Sequence, residues 1–595
     1  MTARSSRPWQ PGAGFVWTAI VLAHAALFVW LYGRFGDLII DTSREATVPW
    51  RILEGQVLYR DIHYIHGPLP AYLLAGLYAL FGRHLLVLQG AGLASSMAAS
   101  WLLFSLTSRF IGRRLAAAAP LVFIAVFAFA YYLPKANIFN FILPYSFCAT
   151  FGVVLLLCLF RAGAGALDED RARDWALLGA CFSLTALTKI EIFAAGAVFV
   201  AALAWAGRSA GPSGWARRAG PFLLAAGAVL LPCVLTFGRA VDWAATWRDA
   251  VLPETRVLYA SWLFGTDRPA ANVGAILLAA GGFAALGVLS VWAGRLREDS
   301  GPEVSPAEFA GPALALAAAS GGVLWLLGPM NVFRCMGLFI VLLAARCVLR
   351  FLRGEGDRGD ALLLGICAAS LALMLRKLLA LDPSHFGFYM LVPGLVPFLV
   401  FLFGMAPGLT RRPGDARWIK GVFAVFLAAA SLALLSVSLR TYRQKTHALR
   451  TPRGTLVLEE DRFAAMDALL AHFRGAPRPL PGMLAVPEGA LINFLLDSVP
   501  TVPTHACLPH QVATPEQEDR YLDSIKSRDI RYVFVVSRRT IEYGKPILGE
   551  HYFRRLHDFL LRNFEEEAVF GPPPFSDVRF GVLLLRRKAD APDFR

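Results

Sequence analysis

The residues able to do chemistry in this sequence crowd into one early segment and recur at a few later points. Asp37-Leu-Ile-Ile-Asp41-Thr-Ser-Arg44-Glu45 leads into Pro49-Trp50-Arg51 and Glu54-Gly55, then Tyr59-Arg60-Asp61 and His66-Gly67-Pro68-Leu69. Further along, ionisable residues interrupt or border apolar runs: Lys135, Lys189 with Glu191, Arg334, Arg376 with Lys377, and His385. Carboxylates and histidines are groups that move protons, and cations are groups that hold anions. Within or beside an apolar span such groups are costly, which makes them functional-site candidates. Each also has a plain alternative. Long cationic side chains snorkel to the interface, Asp41 can serve as a helix cap, Arg44 and Glu45 can be a solvated pair, and Asp61 a turn residue. The grouping carries more weight than any member.

The elements that must position these residues follow from local pattern. Asp41 as N-cap predicts a helix from Thr42 with Arg44 and Glu45 in its first turn, so that 41, 44 and 45 project to one side. Pro49 removes the amide that would bond the carbonyl of Glu45, so this helix is expected to be short or kinked, and Gly55 is a natural stop. Pro68 to Gly82 reads as a second amphipathic helix, too short to span and suited to lie at the interface.

The whole chain has 595 residues, of which 56% are hydrophobic and 17% charged. Soluble chains average about a quarter charged, so the composition points to a membrane protein. The net charge of +15 does not indicate nucleic acid, because Arg and Lys sit in short clusters between apolar runs and not along one face. About thirteen runs approach the roughly 20 residues a span requires: 14–34, 84–107, 115–133, 144–161, 174–189, 191–207, 219–238, 271–293, 308–328, 331–350, 360–377, 385–405 and 418–439. The first follows Arg4 and Arg7 and reads as a signal anchor. With the N-terminus inside, every short inward connection carries Arg or Lys, as orientation by positive charge requires. The segment 35–83 is then the first external loop, and the chain beyond Ser438 lies outside. Within that tail, Ile530–Ser537 and Phe580–Leu585 read as strands, Tyr552–Phe564 as a helix, and Val486-Pro487-Glu488-Gly489 follows a short apolar run; together they predict a small α/β domain over 441–595 after a transmembrane domain over 1–440. Cys507 stands alone there, the other cysteines lie in or beside apolar runs, and no metal-ligand or disulfide spacing is present.

The stretch 41–82 resembles the first external loop of the GT-C superfamily of membrane glycosyltransferases. It is most similar to the bacterial branch related to dolichyl-phosphate-mannose protein mannosyltransferases and lipid A aminoarabinose transferases. The matching residues are Asp41, Gly55, Tyr59-Arg60-Asp61, Gly67-Pro68-Leu69 and Phe81-Gly82, with Pro144-Tyr145-Ser146 and Leu187-Thr188-Lys189-Ile190-Glu191 as further features. The resemblance implies a GT-C-like polytopic α-helical membrane protein. Such a protein moves a sugar from a polyprenyl phosphate to an acceptor hydroxyl on a glycan, lipid or protein, with inversion. On that pattern Asp41 is the general base, with Glu45 or Asp61 as second carboxylate. Lys189, Arg334, Arg376 and Lys377 bind the donor phosphate, since preorganised cations stabilise the charge a leaving phosphate gains. Arg44, His66, Lys135, Glu191 and His385 are accessory. No cofactor is implied, and a divalent cation stays open.

Two departures stand out. The loop 134–143 holds Lys135, Asn137 and Asn140 but no acid, where relatives often carry the second carboxylate, and Gly67 stands before Pro-Leu where aminoarabinose-transferase-like proteins place Lys. A lipid-linked saccharide transporter or flippase, and a non-catalytic envelope protein that keeps the fold, are the alternatives. The Arg-dominated basic content suggests a bacterial inner membrane. The position of the tail suggests that it binds the acceptor.

Overall fold

The computed structural model describes residues 12–134, 139–206, 211–246, 268–299, 306–377, 379–385, 387–504, 506–509 and 514–591. Each apolar run forms a helix or a chain of short helices. In order these are α1 (Ala13–Trp30), two short loop helices α2 (Ser43–Leu53) and α3 (Leu69–Phe81), then α4 (Leu85–Ala116), α5 (Ala118–Phe123), α6 (Phe147–Glu169), α7 (Ala172–Ala186), α8 (Ile190–Ala206) and α9 (Gly211–Ala240). The helices Pro269–Asp299, Pro306–Leu327, Met336–Leu352, Arg358–Met374 and Pro413–Tyr442 follow, with a broken helical stretch from Phe388 to Met405. Among the described residues, seven helices are long and apolar enough to cross a membrane, and α1, α8 and Ala313–Leu327 are among the shorter apolar ones. The chain is a multi-pass membrane protein. Its inner helices, such as α6, bury their apolar side chains, whereas α9 and the helices Pro269–Asp299 and Pro306–Leu327 expose Leu223, Leu224, Leu231, Val288 and Trp325, as lipid-facing helices do.

Helix α6 separates two differently charged ends. At its start the amide of Phe147 donates to Glu45 Oε2 at 3.0 Å. At its other end, about 35 Å away by helical rise, Asp168 holds Arg109 at 2.9 Å and Asp170 holds Arg217 at 2.6 Å and Arg218 at 3.0 Å.

The C-terminal region opens with a hairpin, β1 (His447–Thr451) and β2 (Gly454–Leu458). A four-stranded sheet follows, with β3 (Gly482–Val486), β4 (Ile530–Val536), β5 (Phe564–Phe570) and β6 (Val582–Arg587) in the order β3-β4-β6-β5. β3 and β4 are parallel and the other pairs antiparallel. β4, β6 and the helix Arg554–Asn563 lie where the pattern predicts them. The region packs directly on the first loop. Trp50 meets Phe494 edge to face at 5.8 Å, the amide of His63 donates to the carbonyl of Pro503 at 2.9 Å, and that of Val457 to Gly33 at 2.8 Å. One hydrophobic core therefore includes Phe35, Ile39 and Trp50 together with Leu491, Phe494 and Val536.

Candidate active site

The loop that carries Asp41 enters its helix differently from the expected way. Helix α2 starts at Ser43, its N-cap is Thr42 in right-handed helical conformation (φ −94, ψ −3), and no side chain caps it. The Thr42 amide bonds the carbonyl of Asp37 at 2.8 Å and the Glu45 amide bonds that of Thr42 at 3.1 Å. The turn thus satisfies in its own backbone an amide that a cap would have taken, so Asp41 is not the N-cap. Its carboxylate has no hydrogen-bond or ion-pair partner among the described residues, and it is only partly buried. Helix α2 runs through Pro49 to Leu53, and Gly55 with φ +84 stops it, as expected.

The neighbouring acids are all engaged. Asp37 is buried and takes Arg462 at 2.7 Å. Glu45 accepts from Arg44 Nε at 2.9 Å and from the Phe147 amide at 3.0 Å, and it is 4% exposed. Arg44 also donates to the carbonyl of Tyr145 at 3.1 Å, with its guanidinium 5.1 Å from that ring's centroid. Asp61 accepts from Arg60 at 3.0 and 2.8 Å and from the amide of Val57 at 2.8 Å. The Arg60 hydrogen bonds hold its carboxyl below the usual range.

Asp41 behaves oppositely. Desolvation pushes its carboxyl well above the usual range; the charges of Glu488 and Asp37 add to this, Arg538 opposes it, and Glu542 adds again. Glu488 and Arg538 follow β3 and β4 by two residues each, at the carboxyl ends of two adjacent parallel strands. Arg538 Nε donates to Glu488 Oε2 at 2.8 Å, and its other nitrogens reach Glu542 and the carbonyl of Arg539. Sequence reading missed this set. The usable signal was the location of charged residues immediately after buried strands, where open α/β sheets bind ligands.

The expected cations form other groups. Lys189, 5% exposed, pairs with Glu191 at 3.1 Å. Its turn is pinned to the first loop, since the Gly67 amide donates to Thr188 O at 2.6 Å and that of Leu69 to Leu187 O at 3.1 Å. A Cβ on Gly67 would lie 2.2 Å from the Leu187 carbonyl carbon, so only glycine allows this approach. Arg334 pairs with Asp382 at 3.1 Å and also donates to Asn331 and Asn272. The His385 amide donates to Asp382 O at 3.0 Å, and Gly387 lies beside both Lys377 and His385. His66 gives its carbonyl to the Tyr59 hydroxyl at 2.6 Å and sets its ring edge-on to Tyr64. Lys135, Asn137 and the side chain of Arg376 lie outside the described residues. Lys189 and Arg334 each carry a carboxylate of their own.

No family model matches the chain, and no curated protein matches it. Solved structures with a similar course of chain include ArnT from Cupriavidus metallidurans bound to undecaprenyl phosphate, at 13% identity and a TM-score of 0.45 over 96% of this chain and 98% of that one. The oligosaccharyltransferase of Archaeoglobus fulgidus in its apo form is similar at 13% identity and a TM-score of 0.48, over 90% and 70%. AglB from Archaeoglobus fulgidus, with an inhibitory peptide and a dolichol-phosphate, is similar at 13% identity and 0.47, over 98% and 75%. ArnT and AglB are GT-C transferases. The likeness is one of outline, at identities too low to carry residue roles across.

Proposed function

We propose that the protein is a membrane glycosyltransferase that moves a sugar from a polyprenyl phosphate to an acceptor hydroxyl, with Asp41 as general base. One observation carries this reading. Of the acids along 37–61 that face protein, Asp37, Glu45 and Asp61 are held by arginines, whereas the Asp41 carboxylate has no partner among the described residues. A base needs a free lone pair within reach of the acceptor, and a raised carboxyl binds the proton more strongly once it is taken.

In the step, the acceptor O–H gives its proton to Asp41 as its oxygen attacks the anomeric carbon. The bond from that carbon to the phosphate oxygen breaks, and the lipid phosphate departs with both electrons. Direct displacement inverts the sugar carbon. Lys189, Arg334, Arg376 and Lys377 receive the phosphate, and Glu191 and Asp382 keep Lys189 and Arg334 in fixed directions until it arrives. Glu45 serves by orienting Arg44 and the start of α6, and Asp61 by closing the 57–61 turn, so neither is the second base. His66 and His385 complete the surround. The arginines gathered at the far end of α6 support an inside location for that end; the reading keeps thirteen spans and a C-terminal region outside the bacterial inner membrane.

The test compares envelope glycans by mass spectrometry in cells carrying the wild type, Asp41→Asn or Asp61→Asn. Asp41→Asn should lower transfer by roughly 100- to 10,000-fold, the usual worth of a positioned base, and Asp61→Asn should retain most of it. An Asp41→Asn protein that restores the glycans removes this reading, and lipid flipping that needs no acceptor replaces it with a transporter.

A further inference from the structure

The C-terminal region holds a cleft of about 660 Å³ at the amino ends of β3 and β4, a size in the range of small-ligand pockets. Pro481 leads into β3, Asp529 leads into β4, and His472 with Phe473 ends the helix Glu460–His472 beside them. No residue of the first loop lines it. Its rim is stiff: Pro477, Pro479 and Pro481 fix the backbone there, so little freedom is lost when something binds. Tyr532, half-buried on β4, stands edge to face with the buried Phe473 at 5.5 Å between ring centroids.

The polar groups of the cleft have capacity to spare. The Asp529 carboxylate has Arg531 at 3.6 Å and Arg587 at 3.7 Å, beyond hydrogen-bond length, and is 44% exposed. His472 Nε2 lies 2.9 Å from Glu567 Oε1. An ionised carboxylate only accepts, so in the neutral ring Nε2 carries the proton and Nδ1 is left to accept. The exposed Arg531 guanidinium supplies donors, and the Tyr532 hydroxyl can act either way.

These groups select one kind of occupant. A lipid tail would desolvate a carboxylate and give it nothing in return. A phosphate needs surplus positive charge, yet Arg531, Arg586 and Arg587 are matched here by Asp529, Glu565 and Glu567. An extended peptide would add to a free strand edge, but the side chains of Asn493 and Ser498 already take the carbonyls of Met483 and Pro481 along β3. A pyranose suits the cleft on both counts. Its C–H face lies on proline and tyrosine rings, and its hydroxyls both donate and accept.

We propose that this cleft binds an uncharged sugar unit of the acceptor, away from the hydroxyl that reacts. This rests on the reading of the protein as a glycosyltransferase and names the class of acceptor: a glycan of two or more sugars, because Asp41 is not among the cleft residues. Asp529 accepts from the sugar hydroxyls, Tyr532 supports the ring, and Arg531 donates to its oxygens.

The experiment places the full-length protein in lipid nanodiscs and records saturation-transfer NMR with maltotriose, cellotriose, mannotriose and chitotriose, one at a time. At least one should receive transfer at its ring C–H protons. Asp529→Ala should weaken that binding by roughly 10- to 100-fold, the usual worth of a hydrogen bond to a charged group. Ala476→Trp, which places a large ring in the cleft, should abolish it. Transfer to none of the four sugars, or transfer that persists in Ala476→Trp, overturns the proposal. So does a cleft that answers only to inorganic phosphate or to a proline-rich peptide. If Ala476→Trp does not fold, Asp529→Ala decides by itself: weakened binding supports and unchanged binding overturns. The readout needs neither donor nor turnover, so failure of Asp41 as base appears only in the glycan comparison.

Discussion

Asp37→Asn tests whether the two ends of the chain are held together by charge. Asp37 and Arg462 are 2.7 Å apart and almost fully buried, at 3% and 6% exposure. Among the described residues, Arg462 keeps only Glu459 at 4.0 Å as a further carboxylate. The substitution therefore leaves a buried guanidinium with one distant counter-charge. Breaking a buried pair in this way costs about 3–5 kcal/mol, and the remaining Glu459 argues for the lower figure. The clamp also includes Lys445, whose ammonium donates to the carbonyls of Arg34 and Gly36 at 2.9 Å each. Since Lys445 is 4% exposed, a protease that cuts after lysine reaches it only when the clamp opens. At about 1.4 kcal/mol per tenfold change, a loss of about 3 kcal/mol raises the open population roughly 100-fold. Lysine-specific cleavage releasing a fragment that begins at Thr446 should accelerate by that factor in Asp37→Asn. A combined Asp37→Leu, Arg462→Met protein, which leaves no unpaired charge, should recover most of the loss. Cleavage in Asp37→Asn within threefold of wild type would refute the account of the clamp.

Two further outcomes concern the same scaffold. Gly67→Ala brings a methyl to 2.2 Å of the Leu187 carbonyl carbon and should lower the thermal midpoint and the transfer reaction together, at a cost of about 1–3 kcal/mol or more, whereas Gly76→Ala, with nothing within 4 Å, should leave both unchanged. Burial lowers the Lys445 ammonium from 10.5 to about 8, so between those values the unfolded chain binds more protons than the folded one and stability rises with pH. At about 1.4 kcal/mol per unit the gain is about 3 kcal/mol, and it should show as a rise in thermal midpoint from pH 8 to 10.5 that Lys445→Met lacks.

The helices were legible because an apolar run of span length has few other ways to satisfy its backbone, and Gly55 and Gly82 end α2 and α3 where the pattern places their stops. The entry to α2 was not legible: Asp is a favoured cap, but the turn from Asp37 to Thr42 satisfies its own amides and frees the Asp41 side chain. β5 was hidden because Phe564-Glu565-Glu566-Glu567 looks like a solvated run, although Glu565 pairs with Arg586 across the sheet and the strand's two ends are buried phenylalanines. Glu45 read as a possible base because its type and spacing suit one. Its side chain also takes the amide at the head of α6, a contact that no spacing along the loop reveals. The packing of the C-terminal region on the first loop, as where Phe494 meets Trp50, is a property of topology and not of local composition.

That topology also changes how the C-terminal region should be examined. The expectation drawn from its position, that it binds the acceptor and that removing 450–595 would redirect acceptor choice, treats it as an appendage. In the structure it supplies Arg462 to Asp37, Phe494 to Trp50 and the carbonyl of Pro503 to His63. Deleting it would uncover Trp50 and leave Asp37 without its cation in one operation. Loss of activity in such a truncation would be explained equally by unfolding of the first loop or by loss of an acceptor site. A role in acceptor choice then has to be sought in residues of the region that do not touch the first loop.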